Sequence, residues 1–342
     1  MDSQTYWSGE RNFWDVQKEE EIQTTLPKKR KTYSQDWKSY NLSKTQEKLM
    51  FLKILHYVVG SLNIGYETGN GRPKAYMEDM IKACCIKVYN KSPSRQLISD
   101  LKLAESLGFI SKTPHFNSVN NYMADEEMTK HIQSLIKLTA EPLIPIEKYF
   151  SPDSSGFSTF NKKNWIDIRF TNKSKRDWKK LHIITGCKSN IIASAKVTNG
   201  TDHDSPHFEE LLRKSIYFDI KEISADAGYL SRKNCDLVAE IGATPFFFPK
   251  KNVSLKPKGS EAWKKMISLW FNNEKEFRKH YHIRSNVEST FAMLKKHFLP
   301  YVRSKSEIGQ ENEVLIKCLC LNIIVLVMSI FEFGVKLKFM DK

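Results

Sequence analysis

The residues best placed to do chemistry lie between Phe277 and Phe298, in FRKHYHIRSNVESTFAMLKKHF. The run holds no Gly or Pro, so it predicts one uninterrupted helix, beginning as early as Trp263. With 3.6 residues per turn, Tyr281, Arg284, Glu288 and Lys295 project into a sector of roughly 60°. A phenol, two cations and an acid thus share one stripe, and Val287, Phe291 and Leu294 beside it offer apolar surface to a core. Alone, the stripe has an ordinary reading: a solvated face with an i,i+4 Arg–Glu pair. Two acids upstream shift the balance. Asp153 follows the strand-like EKYFSP, and Asp226 ends the strand-like KEISA.

Three carboxylates of this kind are hard oxygen donors. Attack on a phosphodiester gathers negative charge at one phosphorus, and two divalent ions about 4 Å apart can clamp the attacking and leaving oxygens. Mg²⁺ prefers carboxylate and water oxygens, with Mn²⁺ as the natural substitute. The expected site is therefore Asp153, Asp226 and Glu288 as catalytic metal ligands. Arg284 and Lys295 are expected on the phosphates flanking the scissile bond, and Tyr281 against an end nucleotide. Lys296, Arg303 and Lys305 continue the patch, with ordinary surface charge as the alternative for each. Paired carboxylates also serve glycosidases, but this cationic surround suits DNA better than sugar.

The elements that must position these groups are bounded by composition. The chain has 342 residues, 40% of them hydrophobic, enough for two or three domains with a real core. Its net charge of +15 points to a polyanionic partner, nucleic acid before membrane. Between Lys250 and Glu307 stand fourteen Lys and Arg against five Asp and Glu. The opening MDSQTYWSGERNFW has no apolar h-region, and the six cysteines show no zinc spacing; the expected setting is a reducing cytoplasm, at the nucleoid.

Residues 1–31 read as a disordered acidic and basic tail, with Pro27 to Lys31 as a solvated stretch, a localisation signal or a phosphate-contacting arm. Residues 32–140 read as helical: Thr45–Val59, Met77–Tyr89, Ser94–Leu107, a helix from near Asn117, and Asp125–Leu138. Two short helices around Gly108 suit either a helix-turn-helix or a packing domain. Pro142 and Pro145 mark a boundary. Beyond it the pattern predicts strands at 147–152, 178–186 and 190–197, and a helix capped by Asp204. A strand at 221–225, a helix at 231–241, a strand at 244–249 and the long helix follow. The apolar run Cys318–Phe331 spans only 14 residues and predicts a buried helix, with Asn322 hydrogen-bonded inside, rather than a membrane span.

The spacing Tyr-x2-Arg-x3-Glu-x6-Lys at 281–295 resembles the signature of the prokaryotic insertion-sequence DDE transposases. DSSGFST at 153–159, RDWKK at 176–180, HDS at 203–205 and ADAGYLSRKN at 225–234 are similar to family blocks in the same order. The resemblance covers about residues 33–335. It implies an α/β fold: a ribonuclease H-like catalytic core at 141–310, with a mixed five-stranded sheet and helices, preceded by an all-helical DNA-end-binding region and closed by a C-terminal helix at 311–342. It also implies that the N-terminal region, where Gly71–Pro73 matches a family GRP, binds terminal inverted repeats. Only 61 residues separate Asp226 from Glu288, too few for the β-strand insertion some relatives carry, and Ala227 stands where relatives often have Lys. The function so implied is a Mg²⁺-dependent DNA transposase using two ions, acting as an oligomer, a dimer being expected. A related nuclease that cuts without joining, or a domesticated DNA-binding regulator, would share many of these features.

Overall fold

The computed structural model describes residues 36–65, 74–159, 178–251, 253 and 259–340. The tail at 1–31, the Gly71–Pro73 triplet and the first two residues of the 176–180 block lie outside them. Lys38–Lys342 forms one compact unit.

Among the described residues, five helices come first: α1 (Trp37–Gly60), α2 (Met77–Tyr89), α3 (Leu97–Ser106), α4 (Phe116–Met123) and α5 (Glu126–Ala140). Their starts are local. Asp125 accepts from the Glu127 N–H, and His115 does the same for Asn117, so each satisfies a donor that the first helical turn leaves open. A short 3₁₀ turn at Glu141–Leu143 carries the chain, through its prolines, into the sheet.

The sheet is mixed, with strands β1 (Tyr149–Thr159), β2 (Trp178–Gly186), β3 (Ile192–Asn199), β4 (Glu222–Ala225) and β5 (Thr244–Phe247) in the order β3-β2-β1-β4-β5. β2 pairs antiparallel with both β1 and β3, while β4 runs parallel to β1 and β5. A two-residue strand, β6 (Tyr301–Val302), adds to the far end of β1. Helices α6 (Phe208–Ser215) and α7 (Arg232–Glu240) fill the crossovers. After β5 come α8 (Glu261–Asn272), α9 (Glu274–Tyr281), α10 (Ser285–Phe298) and the 27-residue α11 (Glu307–Phe333).

Two expectations about these elements change. Asp153 does not end a strand: β1 runs on to Thr159, because its ladder with β2 extends from Phe150↔Gly186 to Ser158↔Trp178 and pairs the backbone of the supposed turn. The Phe277–Phe298 helix is not continuous either. It is interrupted by a 3₁₀ turn at His282–Arg284, and Trp263 belongs to a separate helix. The Ser224 hydroxyl of β4 donates to the His280 carbonyl at 3.0 Å, an acceptor that a continuing α-helix would offer to residue 284. His280 also bonds Glu222 at 2.8 Å and stacks on Phe246 at 4.5 Å, so the sheet holds the helix at that point.

One hydrophobic core runs through helices and sheet alike, from Phe51 to Leu337. At its centre is α11, long and apolar enough by composition to cross a membrane, yet with 83% of its most apolar window buried in the protein. Its polar residues are spent inside, as expected for Asn322. That side chain accepts from Ile192 N and donates to Ile192 O, both at 2.9 Å, and donates to Ile136 O and Thr139 Oγ1, both at 3.2 Å. Asn322 thus joins α5, α11 and the start of β3. Asn312 donates to Met123 O and Asp125 O at the junction of α4 and α5. All six cysteines are free and buried.

Candidate active site

The parallel pairing of β1 and β4 sets two of the acids side by side. Phe150 lies opposite Ile223, and Asp153 and Asp226 each stand three residues further on. Ser151 Oγ donates to Ser224 O at 2.6 Å, and the Ser224 hydroxyl reaches His280, so a chain of hydroxyls fixes β1, β4 and α9 to one another. Asp226 is held by its own turn, its Oδ1 accepting from Gly228 N at 2.8 Å.

Asp153 Oδ1 accepts from Ser154 N at 2.8 Å, and its Oδ2 accepts from Arg284 Nη2 at 3.2 Å. Arg284 Nη1 reaches Glu288 Oε1, also at 3.2 Å. One guanidinium therefore lies between Asp153 and Glu288, while its buried Nε has no hydrogen-bond partner among the described residues. Burial raises the Asp153 carboxyl above its ordinary value; the charges of Asp226 and Asp204 add to this, against the Ser154 N–H and Arg284. Burial would lower Arg284, but Asp153, Tyr281, Asp226 and Glu288 together outweigh it and hold the cation charged. The Glu288 side chain is 66% exposed.

The expected cations separate. Lys295 is close to the acids: its Nζ donates to Ser155 Oγ at 2.7 Å, two residues along β1 from Asp153 and on the same face. Tyr281 is half-buried, packed on Phe248 with centroids 4.9 Å apart. Lys296 and Lys305 are exposed, while Arg303 turns away to donate to Lys91 O at 2.7 Å.

The expected cap, Asp204, makes no side-chain capping bond. It points at the sheet, where its Oδ1 meets Lys180 Nζ at 2.7 Å and His182 Nδ1 at 3.2 Å. Register explains this: Lys180 and His182 alternate on β2, and His182 lies opposite Ser154, next to Asp153. The loop from β3 then lays Asp204 across them. His182 is fully buried, its Nε2 2.9 Å from Thr198 Oγ1, and burial pushes it down to about 4, so the ring is neutral. Asp204 is itself lowered: burial would raise it, but Lys180 and Ser154, through hydrogen bonds and charge, prevail. A fourth acid therefore stands behind Asp153. The sequence signal for it was the HDS block, which carries no geometry alone.

Among the described residues, no group of three or more His, Cys, Asp and Glu closes into a cage for a metal ion. The donors nevertheless suit a hard divalent cation. The charges of Asp226 and Asp204 add to the cost of ionising Asp153, and a cation, the Arg284 guanidinium, already sits between Asp153 and Glu288.

The strand order and the helix that returns to β1 define a ribonuclease H-like core. Residues 144–323, just over half of the chain, match the family described as the transposase DDE domain, and the protein belongs to that family. No curated protein is similar enough to the chain to match it.

Proposed function

We propose that this transposase serves an insertion sequence: it binds the terminal inverted repeats, hydrolyses phosphodiesters at the element ends, and joins the exposed 3′-hydroxyls to target DNA. The observation that carries this reading is Arg284 set between Asp153 and Glu288, with Asp226 alongside and Lys295 two residues down the strand. Asp153, Asp226 and Glu288 would hold Mg²⁺ or Mn²⁺, two ions in all, which lower the charge at the scissile phosphate and activate its attacker.

The remaining work belongs to the chain's own groups. Arg284 is charged and shared between two acids, so it can transfer from them to a phosphate when DNA and metal arrive. Lys295, set on Ser155, fixes the neighbouring phosphate, and Tyr281 offers its ring edge and hydroxyl to an end nucleotide. Residues 32–140 read the repeat sequence, 141–310 cut and join, and 311–342 brace the core; two copies act together on paired ends. Tethering both ends in one assembly would convert joining into an effectively intramolecular step.

The test uses the full-length protein with a labelled end-repeat duplex, a target plasmid and Mg²⁺. Nicked ends followed by covalent end–target products are expected. Nicking with no joined product, even from pre-cut ends, would leave a nuclease and overturn the transposition reading.

A further inference from the structure

Tyr229 carries a polar atom that the arrangement above leaves unused. The residue is 1% exposed, its ring meets Phe208 edge-on at 5.8 Å, and its hydroxyl has no hydrogen-bond partner among the described residues. It cannot readily swing away, because its backbone is tied at both ends. Tyr229 N donates to Asp226 O at 3.2 Å, and the buried Asn234 side chain donates to Tyr229 O at 2.7 Å. Burial first, then the charges of Asp204, Asp153 and Asp226, push the phenol up, so it keeps its proton and stays a donor.

Carboxylates only accept, and each has room for about four hydrogen bonds. Asp153 now holds Ser154 N and Arg284, Asp226 holds Gly228 N, and Asp204 holds Lys180. None has turned an oxygen to the phenol. A buried donor kept without a partner, on a residue whose backbone is bonded to Asp226, marks a site whose satisfied state differs from this one. Carboxylates that ligate a metal are themselves held by hydrogen bonds from outside, and those outer donors tune affinity.

We propose that Tyr229 is a positioning residue for the metal: with a divalent cation bound, its hydroxyl donates to the Asp153–Asp226 pair and holds those carboxylates in their ligating orientation. This rests on the metal reading given under Proposed function. Asp204, tied to Lys180 and His182, supplies no cation contact of its own.

The experiment titrates Mn²⁺ calorimetrically into full-length wild type, Tyr229→Phe and Asp153→Ala, and follows thermal unfolding of each with and without Mn²⁺. Tyr229→Phe keeps the ring against Phe208 and removes only the unpartnered oxygen. Without Mn²⁺ it should unfold at the wild-type temperature or above. Its Mn²⁺ affinity should fall by about 10- to 100-fold, and its gain in unfolding temperature on adding Mn²⁺ should shrink. Asp153→Ala, which loses a donor outright, should bind more weakly still. Tyr229→Phe that binds Mn²⁺ as tightly as wild type overturns this proposal alone, whether or not its metal-free stability has dropped. A wild type that takes up no Mn²⁺ overturns the metal reading and this proposal with it.

Discussion

Glu147 and Asp153 stand six residues apart on either side of the start of β1, and burial pushes both carboxyls up. Their partners differ. Glu147 is completely buried and is enclosed by fixed donors: Lys188 N at 3.1 and 3.2 Å, Ser189 Oγ at 2.6 Å, and Ser189 N. Gly186 lies against it so closely that a Cβ there would overlap the carboxylate. Asp153 has one backbone donor and one arginine, and that arginine is shared with an exposed glutamate. A carboxylate closed by backbone N–H groups locks a turn between strands. One held by a long side chain, among like charges, can exchange its partner for a substrate or a cation.

Replacing the acids breaks the comparison most severely. Asp153→Ala, Asp226→Ala and Glu288→Ala should each abolish strand cleavage and joining while binding to repeat DNA persists, as followed by gel assays of nicked and joined products. Glu147→Ala should leave the activity of each folded molecule near that of wild type. Normal cleavage by any of the first three would remove that acid from the site.

Stability should show the reverse order. Glu147→Gln keeps the shape but gives up a charged acceptor for three donors, so chemical denaturation should register a loss of about 1–3 kcal/mol. Asp153→Asn should cost little or add stability, since it relieves the repulsion from Asp226 and Asp204. Equal losses in the two variants would mean that the two carboxylates are the same kind of group.

Acid titration sharpens the contrast from the other face of β1. His182 is depressed to about 4 from its usual 6.5, so between those values the unfolded chain takes up a proton that the folded chain refuses. Its contribution is fully present above pH 6.5 and is lost as pH falls towards 4, by about 3 kcal/mol in all. The raised carboxyls of Glu147 and Asp153 work in the opposite direction: each favours the fold more as pH falls through its own raised range. His182→Asn should therefore lose less stability than wild type between pH 6.5 and 4 in urea titrations. An unchanged slope would show that the ring already takes up its proton in the folded state.

The smallest effect concerns Lys295. Removing one phosphate contact by Lys295→Ala should flatten the log K against log salt slope for pre-cut ends by about one unit. Mn²⁺ affinity should hold, because an ammonium cannot ligate a cation. Loss of metal with an unchanged salt slope would make the Ser155 contact a structural one.

By itself, the sequence determined whatever depends on neighbours along the chain. The helix Met77–Tyr89 and the strand Trp178–Gly186 occur with the bounds that their patterns predict, since local periodicity and the turn residues after them suffice. The order of strands and helices was legible for the same reason, and so was the spacing that brings Arg284 to Glu288 across one turn. Tertiary structure decided the rest. The break at His282–Arg284 depends on a serine of β4, and the length of β1 on its ladder with β2. Asp204 looked like a cap because Ser-Pro follows it, yet β2 presents Lys180 and His182 to it across the sheet. Tyr229 lies in a short turn, and only the fold brings the charges of Asp153 and Asp204, far from it in sequence, to bear on its hydroxyl. Sequence spacing specifies which side chains share a face. Which charges meet across elements is set by register and crossover, where the energies of burial and of unlike charges are settled.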